Sequence, residues 1–134
     1  MRRAVTVAAI ALAGTAAPAQ AHVDVLPPTV TAGTATELIV RVPTERDVPT
    51  TRVEVDVPDE VTVYSLGEPP GDWRVTATTG PDGRIARVTW SGGTIAPGRH
   101  HDFTMLGTPF TPGEATWTTR QTYADGQVKP WTGP

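Results

Sequence analysis

Hydrophobic and polar residues alternate along several short segments of this chain, and no segment keeps a helical period over three turns. In the segment 51–58, Val53, Val55 and Val57 lie on one face of an extended strand, and charged residues lie on the other. Comparable segments rich in β-branched residues occur at 36–44, 61–66, 73–79, 84–91, 101–106, 114–123 and 127–131. The pattern predicts about seven to nine short strands, each with one buried face.

Glycine and proline residues separate these segments and indicate how they connect. The sequence GPDG at 80–83 predicts a hairpin, and ADG at 124–126 separates the last two strands. Short strands at this spacing in one small all-β domain are typical of an antiparallel β-sandwich. Trp73, Trp90 and Trp117 fall at positions that point into its core.

The first 21 residues have the composition of a secretory signal peptide. Two arginines precede an apolar run at 5–17, and the tripeptide AQA (19–21) fits the small-x-small pattern of a cleavage site. A membrane-spanning helix needs about 20 apolar residues, so an uncleaved anchor is the weaker alternative. We expect the chain to consist of a cleaved signal peptide (1–21) and a secreted domain (22–134) whose first residue is His22.

The composition of the expected mature domain limits its function. Cleavage leaves 113 of the 134 residues and changes the formal net charge from −3 to −5, because two arginines are removed. A domain of this size forms one core, and its negative charge argues against binding nucleic acid or anionic lipid. Cysteine is absent and Met105 is the one methionine left after cleavage, which argues against thiolate and other soft-metal sites. No second apolar segment follows, so we expect no membrane span in the mature chain and release as a soluble extracytoplasmic protein.

A histidine at a free amino terminus can chelate a metal ion. The α-amine and ring Nδ1 of His22 close a six-membered ring around the ion, and the amide of Val23 adds a third nitrogen when it is deprotonated. Among divalent first-row ions, such a nitrogen site favours Cu(II). Because the α-amine has a pKa of about 8, copper has only to displace a weakly held proton at neutral pH. The alternative interpretation is that His22 is an ordinary first residue without a function.

Acidic residues are candidates for an oxygen ligand. Glu45 begins a polar turn after a strand, where its carboxylate could lie beside the end of another strand. Glu37 and Asp24 are closer to His22 in sequence. The alternative for each of them is a solvated surface carboxylate.

Three further residues invite a role near a metal. His100 or His101 could supply a second imidazole, but adjacent residues of a strand face opposite ways, so at most one could reach a shared site. Trp131 lies at the end of the chain, where its ring could cover a site or face a bound cation, the alternative being terminal packing. No Ser-His-Asp spacing or nucleophile elbow is present, and the pattern does not indicate an enzyme.

The sequence as a whole resembles the YcnI-like family of exported bacterial domains. The matching stretches are AHVDVLPPTVTAGT, RVPTERDVPTTRVEVDVP, PPGDWRV, VTWSGGTIAPG and WTTRQTYADGQVKPWTGP, and they span essentially the whole mature chain. The resemblance implies a β-sandwich of cupredoxin-like or immunoglobulin-like type, with Cu(II) held by the amine and ring of His22 in a mono-histidine site. It also implies that Glu45 contributes a carboxylate and that Trp131 lies near the copper. Val23 is a predicted neighbour of the metal through its amide. The choice between Glu45 and Glu37 stays open.

Many members of that family carry a tail after the last tryptophan, often with a membrane helix, and this sequence stops soon after Trp131. Lys129 adds a positive charge beside the expected copper site, which would weaken binding slightly.

These features together predict a non-enzymatic, extracytoplasmic Cu(II)-binding protein that acts in copper capture, trafficking or delivery. A membrane copper-transport protein is the expected partner. One alternative is a metal-free interaction or adhesion module. The other is an oxidative copper enzyme, which would need His100 or His101 as a second ligand. Copper affinity, the direction of transfer and the oligomeric state are not predicted.

Overall fold

The computed structural model describes residues 22–133, which form nine strands in which buried and exposed side chains alternate. The strands are β1 (Asp24–Leu26), β2 (Thr36–Pro43), β3 (Thr50–Asp56), β4 (Val61–Leu66), β5 (Arg74–Thr79), β6 (Ile85–Ile95), β7 (His100–Pro109), β8 (Trp117–Tyr123) and β9 (Val128–Gly133). The predicted signal peptide (1–21) lies outside the described residues. Within the described part, no helix is long and apolar enough to cross a membrane.

The strands pair into two sheets. One sheet has the order β1-β2-β7-β4 and the other has the order β5-β6-β3-β8-β9. All of the pairings are antiparallel. The predicted all-β antiparallel sandwich is therefore confirmed. Because β1 and β9 are edge strands of different sheets, the chain leaves a seam between the two edges.

The alternating pattern predicted most of the strand positions. The largest differences between the predicted and the observed strands lie where glycine or proline interrupts that pattern. β4 occupies the predicted residues, and GPDG joins β5 to β6 as a hairpin, as expected. β6 runs on through Gly92 and Gly93 to Ile95. Gly93 permits this because a Cβ there would overlap the indole of Trp73. The three-residue strand β1 was not predicted, since it is too short to show an alternating pattern.

The core lies between the two sheets and confirms the predicted burial of three tryptophans. Trp90 is fully buried, and Trp73 and Trp117 are 7% and 8% exposed. The ring of Phe103 stacks on Trp90 and meets Trp73 edge-on, with both pairs of centroids 5.0 Å apart. Such aromatic packing adds to the burial of the valines that surround it. The remaining buried hydrophobic residues are Val23, Val25, Leu38, Val40, Val42, Val53, Val55, Val61, Val63, Val88, Ile95, Met105 and Tyr123.

The outer face of the second sheet carries a network of ion pairs. Arg120 on β8 donates hydrogen bonds to Glu54 and Asp56 on β3, at 2.9 and 3.0 Å. Hydrogen bonds from this guanidinium are the chief reason why the pKa of each carboxyl group lies below its ordinary value. The network covers the solvent face of the central strands β3 and β8 of this sheet.

Candidate metal site

A cleft of about 370 Å³ opens between the edge strands β1 and β9. One wall is the chain from His22 to Leu26, and the other consists of Trp117 and Thr119 of β8 with the last residues of β9. β1 pairs with β2 so that Asp24 lies opposite Arg41. Continuing that register places His22 level with the last residue of β2. The cleft therefore contains the first residue of the expected mature protein.

Two valines anchor the segment that carries His22. Val23 and Val25 are each 8% exposed and pack into the core, whereas His22 and Asp24 are exposed. Burial of alternate side chains holds the backbone of this segment against the sandwich. The amide of Val23, predicted to neighbour the metal, thus has a fixed position beside the imidazole.

The indole of Trp131 faces the imidazole of His22 across the cleft. The ring centroids lie 5.0 Å apart and the planes are almost perpendicular, at 85°. The half-buried indole packs against the core, and its Nε1–H donates to the Oε1 of Gln121 at 3.1 Å. The ammonium of Lys129 lies over the same indole, 4.5 Å from its centroid. Trp131 therefore has a defined orientation at the rim of the cleft.

Glu45 lies just beyond the end of β2 and is exposed. It is not among the described residues that line the cleft. Burial chiefly raises the pKa of the Tyr123 phenol, Arg46 lowers it, and the charge of Glu45 raises it further. The carboxylate of Glu45 is therefore near the end of β8, where Arg46 also pairs with Asp125 at 2.8 Å.

The other two acids occupy different places along the first sheet. Glu37 pairs with Leu106 near the start of β2, six residues before Pro43. At a rise of about 3.3 Å per residue, that is about 20 Å from the position level with His22. Glu45 lies at the same end of β2 as His22, so position favours it over Glu37, and its role as a ligand stays a prediction. Asp24 lines the cleft, and its charge adds to the raised pKa of Arg41, which the hydrogen bond to Asp102 chiefly causes.

His100 and His101 lie on β7, which is separated from β1 by β2. With strands about 4.8 Å apart, the backbones of β1 and β7 are about 10 Å apart. His101 is half-buried against aromatic rings, its centroid 4.8 Å from Phe103 and 6.4 Å from Trp73, and burial lowers its pKa. His100 is exposed. Neither histidine is among the described residues that line the cleft.

The side chains of the described residues do not by themselves form a metal-binding site. Within residues 22–133, no group of three or more His, Asp or Glu side chains is arranged to hold a metal ion. A copper ion at His22 would therefore need nitrogen donors from the backbone. The amide of Val23 is one such donor, and the α-amine that the predicted cleavage after Ala21 would create is another; both would lie beside the imidazole. The chemistry of the residues fits Cu(II) on this condition.

Gln121 was not predicted from the sequence. It lies on β8 among alternating buried residues and is 1% exposed. A buried amide requires hydrogen-bond partners, so its position in the alternation was the available signal. The partner that matters for the cleft, Trp131, is ten residues away on the next strand.

Comparisons with known proteins identify the family of the chain and a solved structure of similar fold. A family described as "Domain of unknown function (DUF1775)" matches residues 22–134. The copper-binding protein CutI of Bacillus subtilis (strain 168) is 37% identical over 120 residues, which is 87% of this chain and 58% of that protein. The chain thus spans less than two thirds of that relative's length. A crystal structure of an uncharacterized protein from Nocardia farcinica, described as having an immunoglobulin-like fold, matches with a TM-score of 0.71 and 28% identity. That match covers 84% of this chain and 85% of the other.

Proposed function

Because the chain belongs to the DUF1775 family, the YcnI-like family that its motifs resemble, we propose that it binds Cu(II) outside the cytoplasm through its processed amino terminus. The observation that carries the proposal is the position of His22 at the mouth of the cleft, edge-on to Trp131. The name of the Bacillus subtilis relative, a copper-binding protein, supports copper as the ligand. The protein acts by holding copper and passing it on, and not as an enzyme.

The proposed ligands are three nitrogen atoms and one oxygen atom. The α-amine and Nδ1 of His22 chelate the ion, the deprotonated amide of Val23 adds the third nitrogen, and Glu45 supplies the carboxylate. Nitrogen and oxygen ligands in a tetragonal arrangement suit Cu(II). Each nitrogen of the set binds in its unprotonated form, so copper binding releases protons and weakens as the pH falls.

Trp131 shields the proposed copper ion. Its indole covers one side of His22 and limits the access of water to the site. An aromatic face also attracts a nearby cation. Trp131 therefore raises the affinity for copper without being a ligand.

Among the described residues, no sulfur ligand lines the cleft, and this affects the two oxidation states of copper differently. Cysteine is absent, and Met105 is 1% exposed in the core. Cu(I) prefers thiolate and thioether ligands, so the site holds Cu(II) firmly and Cu(I) weakly. One-electron reduction of the bound Cu(II) by an external reductant such as a small thiol would release Cu(I) to a partner, for which a membrane copper-transport protein is our proposal. Equal affinity for Cu(I) and Cu(II) would contradict this step.

The test is a Cu(II) titration of protein that begins at His22, compared with His22→Ala and with the matched control His100→Ala. His100 is an exposed histidine at the same end of the first sheet, level with Pro43. We expect one tightly bound copper in the wild-type protein and in His100→Ala, and at least a hundredfold weaker binding in His22→Ala. Loss of binding in His100→Ala would favour a two-histidine site. Absence of tight binding in all three proteins would favour a metal-free interaction module.

A further inference from the structure

Gln121 is a buried amide whose hydrogen bonds connect the cleft to the core. Its Oε1 accepts from the indole Nε1–H of Trp131 at 3.1 Å. Its Nε2 donates to the carbonyl oxygen of Pro43 at 2.8 Å and to Oγ1 of Thr50 at 2.7 Å. Because an indole N–H can only donate, the Oε1 of the amide must face Trp131. Both amide hydrogens are then used, which a residue only 1% exposed requires.

Two buried threonines extend this connection across the sandwich. Oγ1 of Thr44 donates to the carbonyl of Ile95 at 3.0 Å and lies 2.7 Å from Oγ1 of Thr50. Since the hydroxyl hydrogen of Thr44 is used on that carbonyl, Thr50 must donate to Thr44. The hydrogen bonds therefore all run in one direction. Trp131 donates to Gln121, which donates to Thr50. Thr50 donates to Thr44, which donates to the carbonyl of Ile95. The orientation of the indole is determined from the core and not only by packing at the edge.

The same amide also reaches the wall that carries His22. Pro43 is the last residue of β2, and the register of β1 places His22 level with it. Gln121 therefore holds Trp131 of the second sheet and the end of β2 of the first sheet at a fixed separation. Those are the two sides between which the imidazole and the indole meet.

We infer that Gln121 is a positioning residue for the proposed copper site: it holds the indole of Trp131 against His22 and thereby raises the affinity for Cu(II). This inference rests on the proposed function. Without the amide, the half-buried indole on edge strand β9 loses the hydrogen bond to Gln121 and is held by its packing and by its contacts with Lys129 and His22. A less restrained indole covers the copper ion for a smaller part of the time.

The test compares Gln121→Met with the wild-type protein in two measurements. Methionine has a similar length and no hydrogen-bonding amide. In copper-free protein, NMR measures the hydrogen exchange of the Trp131 indole N–H and the cross-relaxation between His22 and Trp131; we expect faster exchange and a weaker cross-peak. In a Cu(II) titration of protein that begins at His22, we expect an affinity about three- to tenfold lower, within the range of a cation–π contact.

A double-mutant cycle separates positioning from a general structural role. In a Trp131→Phe background, which lacks the indole N–H, Gln121→Met should have no further effect on copper affinity. The matched control is Val63→Ala, a cavity in β4 at the far edge of the first sheet, which should lower stability and leave copper affinity unchanged. If Gln121→Met does not fold, Gln121→Asn, which withdraws the amide by one methylene, must show the same two changes.

The outcomes are distinguishable. Wild-type affinity in Gln121→Met, or an equal loss of affinity in the Trp131→Phe background, would overturn the inference alone. A wild-type protein that binds no Cu(II) would overturn the proposed function and this inference with it. Lower affinity in Val63→Ala would show that general stability sets the affinity, which would also overturn the positioning role.

Discussion

Two histidine–tryptophan pairs in this molecule show how the same residue types serve different ends. His22 meets Trp131 edge-on at 5.0 Å in an open cleft, whereas His101 stacks on Trp73 at 6.4 Å and 26° beside the core. His22 is exposed, and His101 is half-buried with a pKa lowered chiefly by burial. The imidazole of the first pair is accessible from solvent, and that of the second packs against aromatic rings of the core. Histidine alone is therefore a poor signal for a metal site, and its surroundings decide.

The largest expected effect separates the two tryptophans by stability. Trp73→Ala removes a side chain that is 7% exposed and packs on Phe103, and it should cost about 3–5 kcal/mol of the free energy of unfolding. Trp131→Ala should cost clearly less, because the indole is half-buried on an edge strand. Chemical denaturation of both variants measures this difference. Equal losses would mean that Trp131 is part of the main core.

The next effect separates the same tryptophans by copper affinity. Trp131→Ala should lower the affinity of the processed protein for Cu(II) about three- to thirtyfold, as expected for loss of an aromatic face near a cation. Trp73→Phe, which keeps an aromatic ring in the other pair, should bind copper like the wild-type protein. Isothermal titration calorimetry measures both affinities. A Trp131→Ala protein with unchanged affinity would remove Trp131 from the site.

Charge near the open pair has a smaller effect. The ammonium of Lys129 lies 4.5 Å from the ring centroid of Trp131. The same indole contacts the imidazole of His22. Because like charges repel weakly across solvent, Lys129→Gln should raise the affinity for Cu(II) about two- to fivefold, and added salt should reduce the difference. Lys129→Arg keeps the charge and serves as the control. A decrease in affinity in Lys129→Gln would show that the lysine supports the site.

The smallest effect concerns the pH dependence of stability in the enclosed pair. Burial lowers the pKa of folded His101 below its ordinary value of 6.5, against a smaller raising effect of Asp102, and the charge of His100 lowers it further. The unfolded chain then binds more protons between the lowered pKa and 6.5, so stability falls as the pH decreases through that window. His101→Phe should make stability less dependent on pH there. Denaturation between pH 7 and pH 5 measures this pH dependence of stability. The carboxyl groups of Asp102, Glu54 and Asp56 do not titrate in that range, because all three have lowered pKa values. If the stability of His101→Phe depends on pH as steeply as that of the wild-type protein, His101 is not the cause of this pH dependence.

How much of this could be predicted from the sequence depended on whether the signal was local. The valines of β3 alternate within one strand, and GPDG specifies its hairpin within four residues, so both were predicted correctly. β1 has three residues and no pattern of its own; it exists because Val23 and Val25 pack into a core built by distant strands.

The candidate site was predictable only in part, for the same reason. His22 and Trp131 were identified by their positions near the two ends of the expected mature sequence and by the family resemblance. Their meeting at 5.0 Å depends on the order of strands in two sheets, which no short segment encodes. Gln121 was missed because its partners, Pro43, Thr50 and Trp131, come from three other strands.

We propose that the amino terminus of His22, once processed, holds the copper ion. Electron paramagnetic resonance during Cu(II) titration tests this on protein that begins at His22 and on the same protein with Ala21 retained before it. Retaining Ala21 keeps the imidazole and the cleft but turns the α-amine of His22 into an amide. We predict one tetragonal, nitrogen-rich signal in the first protein and its loss in the second. The same signal and affinity in both proteins would show that copper binding does not require the α-amine of His22.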